Sequence, residues 1–168
     1  MRHLRTPGRF RRTAGTVLLC AVAAPALAGC FPTALEVQPP SPQGPAAELC
    51  RALHVALPKT VDGDRARDVE PDSPYTAAWG DPAVVLRCGT ELPPVLDPYG
   101  DAYDPTTEAV GVEGVDWLPE QEADGVRFTT VGRRALVQVW VPKPPGAEVT
   151  APLVDLATAV RRTVPTRL

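Results

Sequence analysis

Beyond residue 29 the sequence has one histidine, His54, two serines, Ser41 and Ser73, two lysines and no methionine. These scarcities exclude several chemistries. There is no HxxxH and no CxxC to begin a metal site, and no DxDxDG of an EF-hand. Neither serine lies in the GxSxG elbow of a serine hydrolase, and no glycine-rich phosphate loop occurs. Basic residues are scarce as well. Five of the seventeen Lys and Arg fall within residues 1–29, so the whole-chain charge of −3 conceals about −8 on the remainder. An acidic surface excludes nucleic acid as a partner, because affinity for phosphates comes from clustered Lys and Arg.

A long apolar run is also missing. Thr13–Leu27 is mostly apolar but broken by Gly15 and Pro25, and a membrane span needs about twenty apolar residues. Arg2, Arg5, Arg9, Arg11 and Arg12 precede or open this run, with no acidic residue before Cys30. That order is the pattern of an export signal. Leu27-Ala28-Gly29-Cys30 resembles the lipobox of bacterial lipoprotein signals, in which the cysteine thiol takes a diacylglycerol and the chain is cut before it. The expectation is a signal over 1–29, lost with Cys20, and a lipid-anchored Cys30 at the outer face of the cytoplasmic membrane. The plainer alternative is an ordinary secretory signal, or an uncleaved anchor, with Cys30 a bystander.

What is abundant is proline. Phe31–Pro45 reads FPTALEVQPPSPQGP, which predicts a tether over 30–45, roughly 30–45 Å long at the ~3.1 Å per residue of polyproline geometry. The rest, 46–168, is the size of one domain. Ala46–Leu57 predicts a helix between Pro45 and Pro58, with Leu49, Leu53 and Leu57 on one stripe and Cys50 beside it. Residues 59–74 read as a polar connecting loop. Strands are expected at Ala83–Gly89, at Gly111–Leu118 with a break near Gly114, and as a hairpin of Gly125–Val131 and Arg134–Val141 about Gly132-Arg133. Alternation sets Val84, Leu86 and Cys88 on one face, and Ala135, Val137, Val139 and Val141 on another. Thr150 is the expected cap of a helix over 151–163, buried through Leu153, Leu156, Ala157 and Val160. The sum is an α+β fold: an antiparallel sheet of four or five strands with an N-terminal and a C-terminal helix packed on one face.

Once Cys30 carries lipid, Cys50 and Cys88 are the remaining thiols. Outside the membrane thiols are commonly oxidised, and both sit on apolar faces, so a Cys50–Cys88 disulfide is expected. Two other readings stay open. Cys50 and His54 are four residues apart on one helix, a spacing that suits a thiolate–imidazolium pair or, with Cys88, three metal ligands.

The carboxylates also need an account. Glu91, Asp97, Asp101, Asp104 and Glu108 lie in the long segment 90–109, and long loops carry function. Solvated acidic loop is the plain reading, cation or sugar site the other. Trp79 with Asp81, and Asp116 with Trp117, place an acid beside an aromatic as glycan sites do, which makes these four a candidate binding surface. Core tryptophans beside turn aspartates explain the same pairs.

Four segments taken together, LCRALHVALPKTVDG, AAWGDPAVVLRCG, VEGVDWL and FTTVGRRALVQVWVP, resemble an actinobacterial domain-of-unknown-function family, number 3515, in order over about 49–160. The resemblance implies an exported, membrane-associated or lipid-anchored envelope protein without an assigned activity. It supplies no catalytic residue, no cofactor and no metal, and it places Cys50 and Cys88 at cysteine-bearing motif positions. The expected role is a binding or scaffolding module with an envelope protein or glycan partner. The alternatives are an envelope enzyme using carboxylates such as Asp81 or Asp116, and a thiol-redox or metal protein.

Overall fold

The computed structural model describes residues 34–143 and 148–167. The signal expected over 1–29, Cys30 and the first tether residues lie outside the described residues. The elements in chain order are β1 (Leu35–Glu36), α1 (Gly44–Ala56), β2 (Thr60–Val61), β3 (Asp64–Arg67), β4 (Val69–Glu70), β5 (Thr76–Trp79), β6 (Val84–Cys88), a 3-10 turn (Pro94–Leu96), β7 (Val110–Val112), β8 (Val115–Gln121), β9 (Gly125–Thr130), β10 (Val137–Pro142) and α2 (Ala151–Thr163). The fold is α+β, with two helices and a large antiparallel sheet.

The sheet has eight strands in the order β2-β3-β5-β6-β10-β9-β8-β7, not the four or five expected. Three features account for the difference. The segment 59–74, expected as a loop, holds the β2–β3 hairpin, and also β4, which pairs with β1 outside this sheet. Its turn is Asp62-Gly63, with φ of 51° and 82°, the left-handed pair that a two-residue hairpin turn demands. Thr76–Trp79 is a strand of its own, β5. The expected strand over 111–118 is two, folded back at Glu113-Gly114, again with both φ positive.

One face of the sheet is the core. Register places Val137 opposite Cys88, Val139 opposite Leu86 and Phe128, and Val141 opposite Val126, so these side chains share a face. Both helices bury their stripes against it. Cys50 and Leu53 of α1, and Leu153, Leu156, Ala157 and Val160 of α2, are fully buried in the same cluster. The faces expected for β6, β10 and α2 are the ones observed. Thr150 differs from its expected role: it has helical backbone angles and no side-chain cap bond. Its hydroxyl donates instead to Glu148 Oε1 at 2.8 Å.

The tether expected over 30–45 is taken into the folded unit from Leu35 onward. β1 pairs in parallel with β4, Leu35 beside Val69 and Glu36 beside Glu70, and Val37 is buried. Gly44 and Pro45 already belong to α1, because proline is tolerated in a helix's first turn, where its missing N–H costs no hydrogen bond. Proline content alone suggested a stalk, whereas Leu35 and Val37 supply the apolar contacts that dock it. Among the described residues no helix is long and apolar enough to cross a membrane.

Candidate functional site

The residues singled out in the sequence do not gather into one site. Trp79 is 1% exposed and its indole Nε1 donates to Pro58 O at 3.1 Å, so it is a core side chain with its donor satisfied. Asp81 stands in the following turn, nine-tenths exposed, 3.8 Å from Arg67 Nη1. Trp117 is wholly buried on the core face, and Asp116, its neighbour in β8, is exposed on the other face. β5 and β8 are four strand spacings apart, about 19 Å. Trp79, Asp81, Asp116 and Trp117 therefore form no common surface. The AWGDP stretch is a structural turn: Arg67 Nη1 donates to Gly80 O at 3.0 Å, and Gly80 N donates to Arg65 O at 3.2 Å.

Cys50 and Cys88 are joined by a disulfide with Cα atoms 5.5 Å apart. With both sulfurs in that bond, neither is a thiolate for His54 or for a metal, and His54 is exposed at the end of α1. In the acidic segment Asp97 and Asp104 brace turns. Asp97 Oδ1 accepts from Tyr99 N at 3.1 Å, and Asp104 Oδ1 accepts from Thr106 N at 2.9 Å and Thr106 Oγ1 at 2.6 Å. The Thr106 hydroxyl, then its backbone N–H, hold the Asp104 carboxyl below the ordinary aspartate range. No group of three His, Cys, Asp or Glu suited to a metal exists among the described residues.

A cleft of about 490 Å³ lies elsewhere, on the sheet face turned away from the helices. Strand register builds it. Thr76, Arg87, Gln138, Thr129 and Leu118 form one row across β5, β6, β10, β9 and β8, and Val85, Trp140, Arg127 and Glu120 form the next. The chain leaving β6 at Gly89 forms one wall through Thr90–Pro94. Pro40 and Ser41, in the segment ahead of α1, form another. Arg87, Arg127, Gln138 and Glu120 make the floor.

The two floor arginines differ. Arg127 is neutralised, with Nη2 2.7 Å from Glu122 Oε1 and Nε 3.4 Å from Glu120 Oε2. Arg87 has neutral cross-strand neighbours, Thr76 and Gln138, and no acidic partner among the described residues. Its Nε is buried without a hydrogen-bond partner, as are Arg127 Nε on the same floor, Thr90 Oγ1 on the wall and Thr129 Oγ1 in the same row. Buried polar atoms are paired in most proteins, so such orphans mark a place where a water, ion or ligand belongs. The arrangement offers hydrogen-bond donors and, in Arg87, a guanidinium that makes no ion pair with a described residue, in a cleft also lined by Arg127, Glu120 and Glu91.

Sequence reasoning did not single out Arg87 or Gln138. A signal existed: each is the polar interruption of an apolar strand, VVLRC and VQVWVP. Alternation shows that such a residue faces away from the core, but not that anything stands above it.

The family model described as "Protein of unknown function (DUF3515)" matches residues 13–168. No curated protein and no solved structure matches the chain.

Proposed function

The chain belongs to the DUF3515 family of proteins of unknown function, and on that footing we propose that it is an extracytoplasmic binding or scaffolding module, lipid-anchored through Cys30 at the outer face of the cytoplasmic membrane. The observation that carries the binding role is the cleft floored by an arginine without an acidic partner, Arg87. An unpaired, partly desolvated charge is costly to keep unless something completes it. The partner in this reading is an envelope protein, peptidoglycan or another glycan. The address rests on the arginine-rich start, the apolar run and Leu27-Ala28-Gly29-Cys30. Four residues separate Cys30 from Leu35, a reach of about 18 Å at full extension. The domain in this reading rides close to the bilayer, not on a long stalk. For the carboxylate-enzyme alternative, no observation brings Asp81 and Asp116 together.

Two measurements test the proposal. A photo-crosslinking residue at Gln138, in the cleft, should capture a defined envelope partner in living cells, whereas one at Val154, exposed on α2, should not. Identical patterns from both positions would refute a cleft-based binding role. Labelling with a fatty-acid probe should be lost in Cys30→Ala; unchanged labelling refutes the anchor.

A further inference from the structure

We infer that the Arg87 cleft is a carboxylate-binding site that takes the acid group of a peptide, an inference that rests on the binding role proposed above. The guanidinium is a planar fork of five donors, and for Arg87 none of them is engaged by a described residue. Its Nε is sealed from solvent and therefore from a ligand, which leaves the paired terminal nitrogens Nη1 and Nη2 for an acceptor with two oxygens, the geometry a carboxylate matches bidentately. Gln138, the direct cross-strand neighbour, supplies a further amide donor beside that fork.

Charge selects the kind of anion. Glu91 and Glu120 line the same cleft as Arg87 and Arg127, and Arg127 is already held by Glu120 and Glu122. Two arginines against Glu91 and Glu120 leave the lining without net charge, so a monoanion on the Arg87 guanidinium brings one charge toward these carboxylates where a dianionic phosphate brings two. The walls select what carries the acid. Pro40, Leu92, Pro93 and Pro94 are apolar and lack side-chain donors, which suits small or apolar peptide residues better than the dense hydroxyls of a sugar.

The test titrates the purified full chain with N-acetyl-dialanine and follows backbone amide resonances by NMR at low salt. The free acid should bind saturably, shifting Gly89, Thr90 and Gln138, and its carboxamide should bind about tenfold more weakly or worse. Inorganic phosphate should bind more weakly than the acid. Arg87→Gln should remove about tenfold or more of the acid's affinity without lowering the melting temperature, because the charge it deletes has no partner in the fold. Any of four results overturns the inference: no saturable shift, equal binding of acid and amide, phosphate binding as tightly as the acid, or Arg87→Gln that destabilises the protein. If the titration fails while crosslinking from Gln138 still captures a partner, the carboxylate assignment falls and the binding role stands. If both fail, both fall.

Discussion

Pro42 lies directly on Gly89: a Cβ added to that glycine would fall 2.6 Å from Pro42 Cγ. The contact ties the segment ahead of α1 to the end of β6, where Gly89 has a φ of +86° and its N–H donates to Leu136 O at 2.7 Å. Two independent obstacles therefore oppose a side chain here. Left-handed backbone costs a non-glycine residue about 1–3 kcal/mol, and the clash adds to it. Gly89→Ala should lower unfolding stability by at least about 1–3 kcal/mol in urea titrations. Adding Pro42→Gly, which removes both the ring and the Cβ that lies nearest, should recover the part due to the clash, measured against Pro42→Gly alone, and leave the part due to φ.

The Cys50–Cys88 bridge closes 38 residues between α1 and β6. Loop-closure entropy at that length gives about 3–4 kcal/mol, the mechanism being model-dependent. The double variant Cys50→Ala with Cys88→Ala should lose about that much in denaturant unfolding. Thiol counting on the unreduced protein should find neither cysteine reactive. Two free thiols at these positions would contradict the bridge.

Arg133 is a buried cation with a structural task. Its Nη1 donates to Val164 O at 3.0 Å and Nη2 to Gly114 O at 2.8 Å. It thus fastens the residue after α2 to the β7–β8 turn, and Arg167 Nε donates back to Arg133 O. Arg133→Met keeps much of the volume but strands both carbonyls, at a cost of about 2–4 kcal/mol. Arg133→Lys should also destabilise, since a single ammonium does not reproduce the two-pronged geometry. Hydrogen exchange should rise first at Val164 and Arg167.

Asp104 has a pKa depressed by the Thr106 hydroxyl and then the Thr106 N–H. The sign follows from linkage. Its contribution is present above the ordinary aspartate value of about 3.9 and is lost as pH falls through the depressed folded-state value. Thr106→Val removes the larger cause, so the Asp104 carboxyl followed by NMR should titrate at higher pH in that variant. An unchanged midpoint would show that the hydroxyl bond is not made in solution.

Much of the architecture was legible because it is local. Alternation in VVLRC and ALVQVWV gave the faces of β6 and β10, and the leucine spacing of 153 and 156 with Ala157 and Val160 gave the buried stripe of α2. Short strands were harder. β2 and β4 are two residues each, too brief for periodicity, and the Asp62-Gly63 turn was the available sign that 59–74 folds back on itself.

The sequence by itself determined which side chains of each long element turn inward, and that two cysteines lie on inward faces. Side-chain period along a helix or strand is a local property, readable without knowing the neighbours. Tertiary structure alone decided what stands above the outward side chains. Sheet order brings Arg87 beside Gln138 and two strands from Arg127, and the paths of Pro40–Ser41 and Thr90–Pro94 turn an open sheet face into a cleft. The same long-range packing separates Trp79 from Trp117 and sends both indoles to the core. Pairing between distant strands depends on complementary surfaces across the whole domain, and no short stretch of sequence carries that information.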